Sequence, residues 1–180
     1  MQQKLEKIKL VITDVDGVLT DGLLHYDANG EAIKSFHVRD GLGIKMLMES
    51  GIQVAVLSGR DSAILRRRIA DLGITLFFLG KLEKESACFE LMKQAGVKPE
   101  ETAYIGDDSV DLPAFAVSGL SFAVADAPSY VKNAADYVLS LCGGKGAFRE
   151  MSEMILTAQG KSAVFDSAQG FLKSVKNMAQ

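Results

Sequence analysis

Short apolar runs alternate along this chain with longer stretches in which apolar positions recur at helical spacing. Ile8-Lys9-Leu10-Val11-Ile12 is the first run, and it leads to a carboxylate, Asp14. Gln53-Val54-Ala55-Val56-Leu57 stops at Ser58-Gly59-Arg60, and Thr102-Ala103-Tyr104-Ile105 stops at Gly106-Asp107-Asp108. Runs of this length, rich in β-branched residues, read as strands buried on both faces of a parallel sheet. Further strands are expected over 75–79, 121–124 and 137–139. Between them the pattern predicts a helix over 40–49, with Asp40 as N-cap and Gly51 as terminator. Another is capped by Asp61 or Ser62 and ends at Leu72-Gly73, and a third spans 83–95. Short helices follow Asp111 and Pro128, and a longer one covers 147–156.

The segment 22–38 breaks this rhythm. Leu23-Leu24-His25-Tyr26 and Ala32-Ile33-Lys34-Ser35-Phe36 flank Asp27-Ala28-Asn29-Gly30, a strong hairpin-turn signal. The whole pattern predicts an α/β fold: a doubly wound, mostly parallel sheet with a small β-hairpin and no large cap domain. With no internal repeat and no linker, residues 1–180 read as one domain, whose tail over 158–180 is either a terminal helix or partly disordered.

Composition narrows the function. Hydrophobic residues make up 48% of the chain and charged residues 24%, as in ordinary soluble domains. Met1-Gln2-Gln3-Lys4-Leu5-Glu6 shows no signal-peptide pattern and is expected to lead straight into the first strand. No apolar stretch approaches the roughly 20 residues of a membrane span. Cys88 and Cys142 are isolated, which suggests buried free thiols and a cytoplasmic setting. The net charge is −3, and Arg66-Arg67-Arg68, the only basic cluster, reads as a solvated helix face. Neither a nucleic-acid nor a membrane partner is expected. His25 and His37 share no metal-ligand spacing.

The chemistry is concentrated where strands end. Asp14 and Asp16 follow the first run, and Gly17 lets the backbone turn sharply. Two carboxylates this close repel each other unless a cation intervenes, so they suggest a hard-metal site with one Asp free to act as nucleophile. An acidic strand-to-loop turn is the plainer alternative. Ser58 follows the second strand, Asp107, Asp108 and Asp111 the fourth, and Lys84 near the third helix is a candidate counter-cation. Each has a bland reading too: a residue at the start of a helix, a surface lysine, and acids favoured by a helix N-terminus.

Taken together, these residues resemble the haloacid dehalogenase superfamily of phosphotransferases. Its first motif stands as Asp14 to Thr20, its second as Ser58 in Leu57-Ser58-Gly59-Arg60, and its fourth as Gly106 to Asp111. The third motif, a Lys, falls on Lys84, with Lys81 as the alternative. The resemblance implies that Asp14 is the nucleophile and Asp16 the general acid–base. Ser58 and Lys84 would hold the phosphoryl group, and Mg²⁺ would be bound by Asp14, Asp16 (through its backbone carbonyl) and Asp107. Asp111 would support the metal site, and Asp108 fits either role.

A finer resemblance rests on Thr20-Asp21-Gly22, Phe36-His37-Val38-Arg39-Asp40-Gly41, Ser58-Gly59-Arg60-Asp61-Ser62 and Gly143-Gly144-Lys145-Gly146-Ala147 with Arg149-Glu150. These segments are similar to the 3-deoxy-D-manno-octulosonate 8-phosphate phosphatase family of lipopolysaccharide precursor biosynthesis. The resemblance implies a phosphorylated sugar acid as substrate and a capless homotetramer whose hairpins cover adjoining sites. Gly59 would line the substrate site, and Arg60 and Arg68 are candidates for the sugar-acid carboxylate, with surface helix charges as the alternative. The glycine-rich segment 143–146 either contributes to the substrate site through Lys145 or Arg149, or is a plain loop. Two other functions remain open: a phosphatase of nine-carbon sugar-acid phosphates, and a phospho-accepting regulatory domain.

Overall fold

In the computed structural model, which describes residues 1–178, the apolar runs form a six-stranded sheet. Its strands are β1 (Leu10–Thr13), β4 (Gln53–Leu57), β5 (Leu76–Phe78), β6 (Thr102–Gly106), β7 (Leu120–Ala123) and β8 (Tyr137–Val138). Every pairing within it is parallel. The strand order is β5-β4-β1-β6-β7-β8, so the chain winds outward on one side of β1, then crosses back and winds outward on the other. That reversal lies at the carboxyl end of β1, where open α/β sheets bind ligands. Thr13 is level with Val56 of β4 and Ile105 of β6, which brings the residues after all three strands to one edge.

The sheet is covered on both faces, which is why its central strands are continuously apolar. One layer packs α2 (Val38–Glu49) against α3 (Ala63–Leu72), α7 (Ala147–Ala158) and α9 (Ala168–Met178); the other packs α4 (Glu85–Ala95) and α6 (Ser129–Ala134) against α5 (Leu112–Val117). Leu10, Val11, Ile12, Ala55, Leu57, Tyr104 and Ile105 are fully buried between the layers. Between β1 and β4 there is only the hairpin, β2 (His25–Asp27) and β3 (Gly30–Ile33), followed by α2. Tyr26 pairs with Glu31 and Asp27 with Gly30, and Asp27 Oδ1 accepts the Asn29 N–H at 2.7 Å inside the turn. The hairpin strands are shorter than the sequence suggested, and a register shift falls between His25 and Tyr26.

Several boundaries differ from expectation for physical reasons. The N-terminus does not run straight into β1 but first makes one helical turn, α1 (Gln2–Leu5), which buries Leu5 against the core. Helix α2 starts two residues before Asp40, because His37 is its N-cap and accepts the Arg39 N–H at 3.2 Å. Asp40 instead lies buried in the first turn, and its Oδ1 accepts the Arg149 N–H at 2.9 Å, capping α7 across the fold. Burial raises its pKa above the ordinary value, against the pull of the Arg149 amide. The C-terminal segment forms α8 (Ala163–Asp166) and α9; Phe165 and Phe171 pack against the core, while 179–180 lie outside the described residues.

Candidate active site

Asp14 emerges from β1 at the switch point and is only 5% exposed. Its Oδ1 accepts the Val15 N–H at 2.7 Å, and its Oδ2 stands 3.0 Å from Lys84 Nζ. Lys84 is the residue before α4, and its ammonium is fully buried. Lys81, the alternative for the same role, is exposed and lies beside Phe78 and Glu83 instead. Burial works to lower the Lys84 pKa, but the Asp14 and Asp111 carboxylates overcome it and hold the ammonium above its usual value. The resulting contact is a buried cation between two buried anions, an arrangement that is tolerated only when every charge is paired.

Asp107 and Asp111 follow β6, on the strand next to β1. Asp111 is saturated. Its Oδ1 accepts from Lys84 Nζ and Tyr104 Oη, both at 2.7 Å, and its Oδ2 accepts the N–H groups of Asp107 at 2.8 Å and Asp108 at 3.2 Å. Asp107 differs, because its Oδ1 is buried with no hydrogen-bond partner. Carboxylate oxygens of Asp14, Asp107 and Asp111 lie within 4.8 Å of one another. Asp111 accepts from four donors and Asp14 from Val15 N–H and Lys84, so Asp107, with its unpartnered oxygen, is the carboxylate with acceptor capacity to spare for a divalent cation. Burial, then the charges of Asp14, Asp111 and Asp108, push Asp107 up to about 8. Burial and the Asp111 charge, opposed by Lys84, push Asp14 up to about 7. In both, the Lys84 charge opposes the rise without cancelling it. Asp108 turns outward, where Oδ1 accepts from the Ser109 N–H and from the Tyr130 hydroxyl.

Asp16 sits across the turn formed by Gly17, whose φ is +89°. A Cβ there would fall 2.1 Å from Asp107 Oδ2, so glycine lets the two loops touch. Lys34 donates to Oδ1 of the Asp16 carboxylate. Arg60 Nε lies 4.0 Å from Asp16 Oδ2. Ser58 is fully buried at the end of β4, where its Oγ accepts the Arg60 N–H at 3.1 Å, and a Cβ on Gly59 would fall 2.9 Å from Cδ2 at the tip of the exposed Leu82 side chain. Arg68 is not joined to this group: it stacks over Phe36 at 5.4 Å and presses on Gly41. Arg66 and Arg67 pair with Asp61 and Asp71 on the exposed face of α3.

The glycine-rich loop before α7 braces the turn after Asp14 from behind. Gly144 N–H donates to Val18 O at 2.9 Å, and a Cβ on Gly143 would fall 1.7 Å from Gly17 O. Lys145 instead faces a groove shared with Arg39, Leu141 and Arg149. The sequence did not single out Lys34 or Tyr104. A lysine in a hairpin reads as solvent-facing, whereas a tyrosine in an apolar strand does carry a signal, since its hydroxyl needs a buried partner.

Residues 80–142 match the family model described as haloacid dehalogenase-like hydrolase. Over its full length the chain is 85% identical to the whole of the 3-deoxy-D-manno-octulosonate 8-phosphate phosphatase of Haemophilus influenzae. The chain belongs to the 3-deoxy-D-manno-octulosonate 8-phosphate phosphatase family. The cobalt-bound structure of the Haemophilus influenzae phosphatase superposes with a TM-score of 0.94 at 85% identity, covering 94% of this chain and 99% of that one. A Moraxella catarrhalis phosphatase of the same name, in complex with magnesium, phosphate and the sugar acid, gives a TM-score of 0.87. It is 40% identical and covers 91% of this chain and 94% of that one.

For a member of this phosphatase family, the arrangement is chemically coherent. A buried carboxylate is aimed at an open sheet edge, a buried ammonium stands against it, and a second carboxylate has an unused acceptor. The nearby cleft lined by Gly17, Asp21, Asp107, Asp108, Asp126 and Pro128 has a volume of about 120 Å³. That is well below the roughly 300 Å³ at which enclosing pockets begin.

Proposed function

We propose that this chain is a Mg²⁺-dependent phosphatase that hydrolyses 3-deoxy-D-manno-octulosonate 8-phosphate to the free sugar acid and phosphate, a step in lipopolysaccharide precursor biosynthesis. One observation carries the reading: Asp14 is held against buried Lys84 beside the unpartnered Asp107 oxygen, in a chain 85% identical to a phosphatase of that name. Asp14 attacks phosphorus and becomes an aspartyl-phosphate as the bond to the sugar oxygen breaks. Asp16 gives its proton to the leaving oxygen, then takes one from the water that cleaves the acyl phosphate and restores Asp14. The Ser58 hydroxyl and the Lys84 ammonium hold the phosphoryl oxygens. Asp14, Asp107 and the Asp16 carbonyl would hold magnesium, which would supply charge to lower the repulsion between nucleophile and phosphate. Asp111 keeps Lys84 and the Asp107 loop in place.

Arg60, beside Asp16, and Arg68, on the Phe36 side, are assigned to the sugar-acid carboxylate, a bidentate task suited to arginine. Gly59 gives the substrate room at the loop. The 1–180 chain works as one phosphatase domain in a homotetramer, in which a neighbouring hairpin covers each open site. Exposed Leu23, Leu24, Tyr26 and Ile33 support this assembly. Free Cys88 and Cys142 support a cytoplasmic setting, and no described helix is long and apolar enough to cross a membrane.

Phosphate release from 3-deoxy-D-manno-octulosonate 8-phosphate, with and without Mg²⁺, tests the proposal, with a nine-carbon sugar-acid 9-phosphate as comparator. The wild type should prefer the eight-carbon substrate, and Asp14→Asn should fall below about 1% of wild-type kcat because an amide is no nucleophile here. Substantial turnover by that variant, or a preference for the nine-carbon acid, overturns the assignment.

A further inference from the structure

Lys34 departs from the character of the hairpin around it. Strand β2 is exposed throughout, yet the Lys34 side chain is only 2% exposed and lies between the carboxylates of Asp16 and Glu31. Its ammonium donates to Asp16 Oδ1 and stands 3.2 Å from Glu31 Oε1. A surface lysine normally buries its stem and leaves the charge in water. Here the charge itself goes inward, a desolvation cost that only close opposite charges offset. Arg60 closes the far side, with Nη2 3.7 Å from Glu31 Oε1 and donating to Tyr26 Oη. Lys34 is the only hydrogen-bond donor to the Asp16 carboxylate among the described residues.

We infer that Lys34 is a positioning residue for Asp16: the hairpin lysine ties down one carboxylate oxygen and leaves Oδ2 to exchange the proton with the leaving oxygen of the substrate. Glu31 in turn holds Lys34 from behind. The hairpin thus supplies part of the acid–base apparatus of its own subunit, besides any cover it gives a neighbour. The inference rests on the reading of Asp16 as general acid–base. Proton donation matters most when the leaving group is a poor one, as a sugar alkoxide is, and little for a nitrophenolate.

Single-turnover phosphorylation of Lys34→Met by the sugar-acid phosphate and by p-nitrophenyl phosphate tests this directly. The sugar phosphate should slow by about 10–100-fold and the nitrophenyl ester by less than about 3-fold, with KM changed less than kcat. Lys34→Arg should recover much of the loss. In an Asp16→Asn background, Lys34→Met should cost nothing further, because a residue acting only through Asp16 has nothing left to position. Equal losses on both substrates, a loss confined to KM, no loss, or a further loss in the Asp16→Asn background each overturns the inference. Should Lys34→Met fail to fold, Glu31→Gln/Lys34→Met, which leaves no stranded glutamate charge, carries the same comparison. If Asp16→Asn shows the leaving-group-selective loss and the Lys34 variant does not, this inference alone fails; if Asp16→Asn lacks it, the acid–base reading fails.

Discussion

At the scale of single residues, the site is a set of charges that exclude one another unless their partners are present. Lys84 separates Asp14 from Asp111, and all three are buried. Replacing Lys84 by Met removes the shared cation and leaves two carboxylates facing each other. Breaking a buried pair from one side costs about 3–5 kcal/mol. Lys84→Met is therefore expected to melt at a clearly lower temperature and to lose phosphatase activity; calorimetry alongside a phosphate-release assay checks both. Gly17 makes a second residue-scale prediction. At φ +89°, with Asp107 Oδ2 2.1 Å from the site of a Cβ, Gly17→Ala must either move the turn or displace Asp107. The expected result is a Mg²⁺ affinity at least about tenfold weaker by titration calorimetry, the size of effect seen when groups orienting a metal ligand are lost. The fold should survive, since a left-handed alanine costs only about 1–2 kcal/mol.

At the scale of elements, the hairpin carries two kinds of surface. Its inner side brings Glu31 and Lys34 to Asp16, while Leu23, Leu24, Tyr26 and Ile33 face outward and are exposed. An isolated two-stranded hairpin is marginal in water, and apolar side chains grouped on one usually meet a partner. Leu24→Glu/Ile33→Glu is expected to shift the protein from oligomer to smaller species in light scattering, with Asp14, Asp16 and Asp107 untouched. A monomeric wild type at micromolar concentration would remove the basis for that expectation. The hairpin's turn was legible because Asp27-Ala28-Asn29-Gly30 has the chemistry of a tight turn. Its contact with Asp16 was not legible, because nothing local distinguishes an inward lysine from an outward one. The same limit applies to Asp40. As an acid near the start of a helix it reads as the N-cap of α2, yet it caps α7 by accepting the Arg149 N–H.

For the molecule as a whole, the raised carboxyls couple stability to pH and to metal. Asp107 is pushed by burial and neighbouring charge from its ordinary 3.8 to about 8. The native state therefore holds a proton that the unfolded chain has already released. This contribution to stability is fully present below about pH 4 and is lost as pH rises through about 8. In metal-free protein the melting temperature should accordingly fall between about pH 5 and about pH 8. Mg²⁺ binds the ionised carboxylates, so saturating Mg²⁺ should raise the melting temperature more at pH 8 than at pH 6. Asp107→Asn should flatten the metal-free slope and remove most of the Mg²⁺ effect. An unchanged slope in that variant would assign the pH dependence to other groups.

The sequence by itself determined which runs become strands and which residues stand at their ends. Strand identity follows from local apolar continuity, and each of Asp14, Ser58 and Asp107 follows directly on its strand, so the parallel register carries them to one edge. The tertiary structure alone decided how those groups are partnered. Asp111 is a brace because Lys84, Tyr104 and two backbone amides converge on it. Asp16 is held by a hairpin lysine, Arg68 is stacked on Phe36 away from the carboxylates, and the C-terminal segment is helical with Phe171 packed against the core. The reason is physical: periodicity and caps are set by neighbours within a turn or two of chain. The partner of a buried charge is set by whichever distant residue the packed layers bring within hydrogen-bond reach.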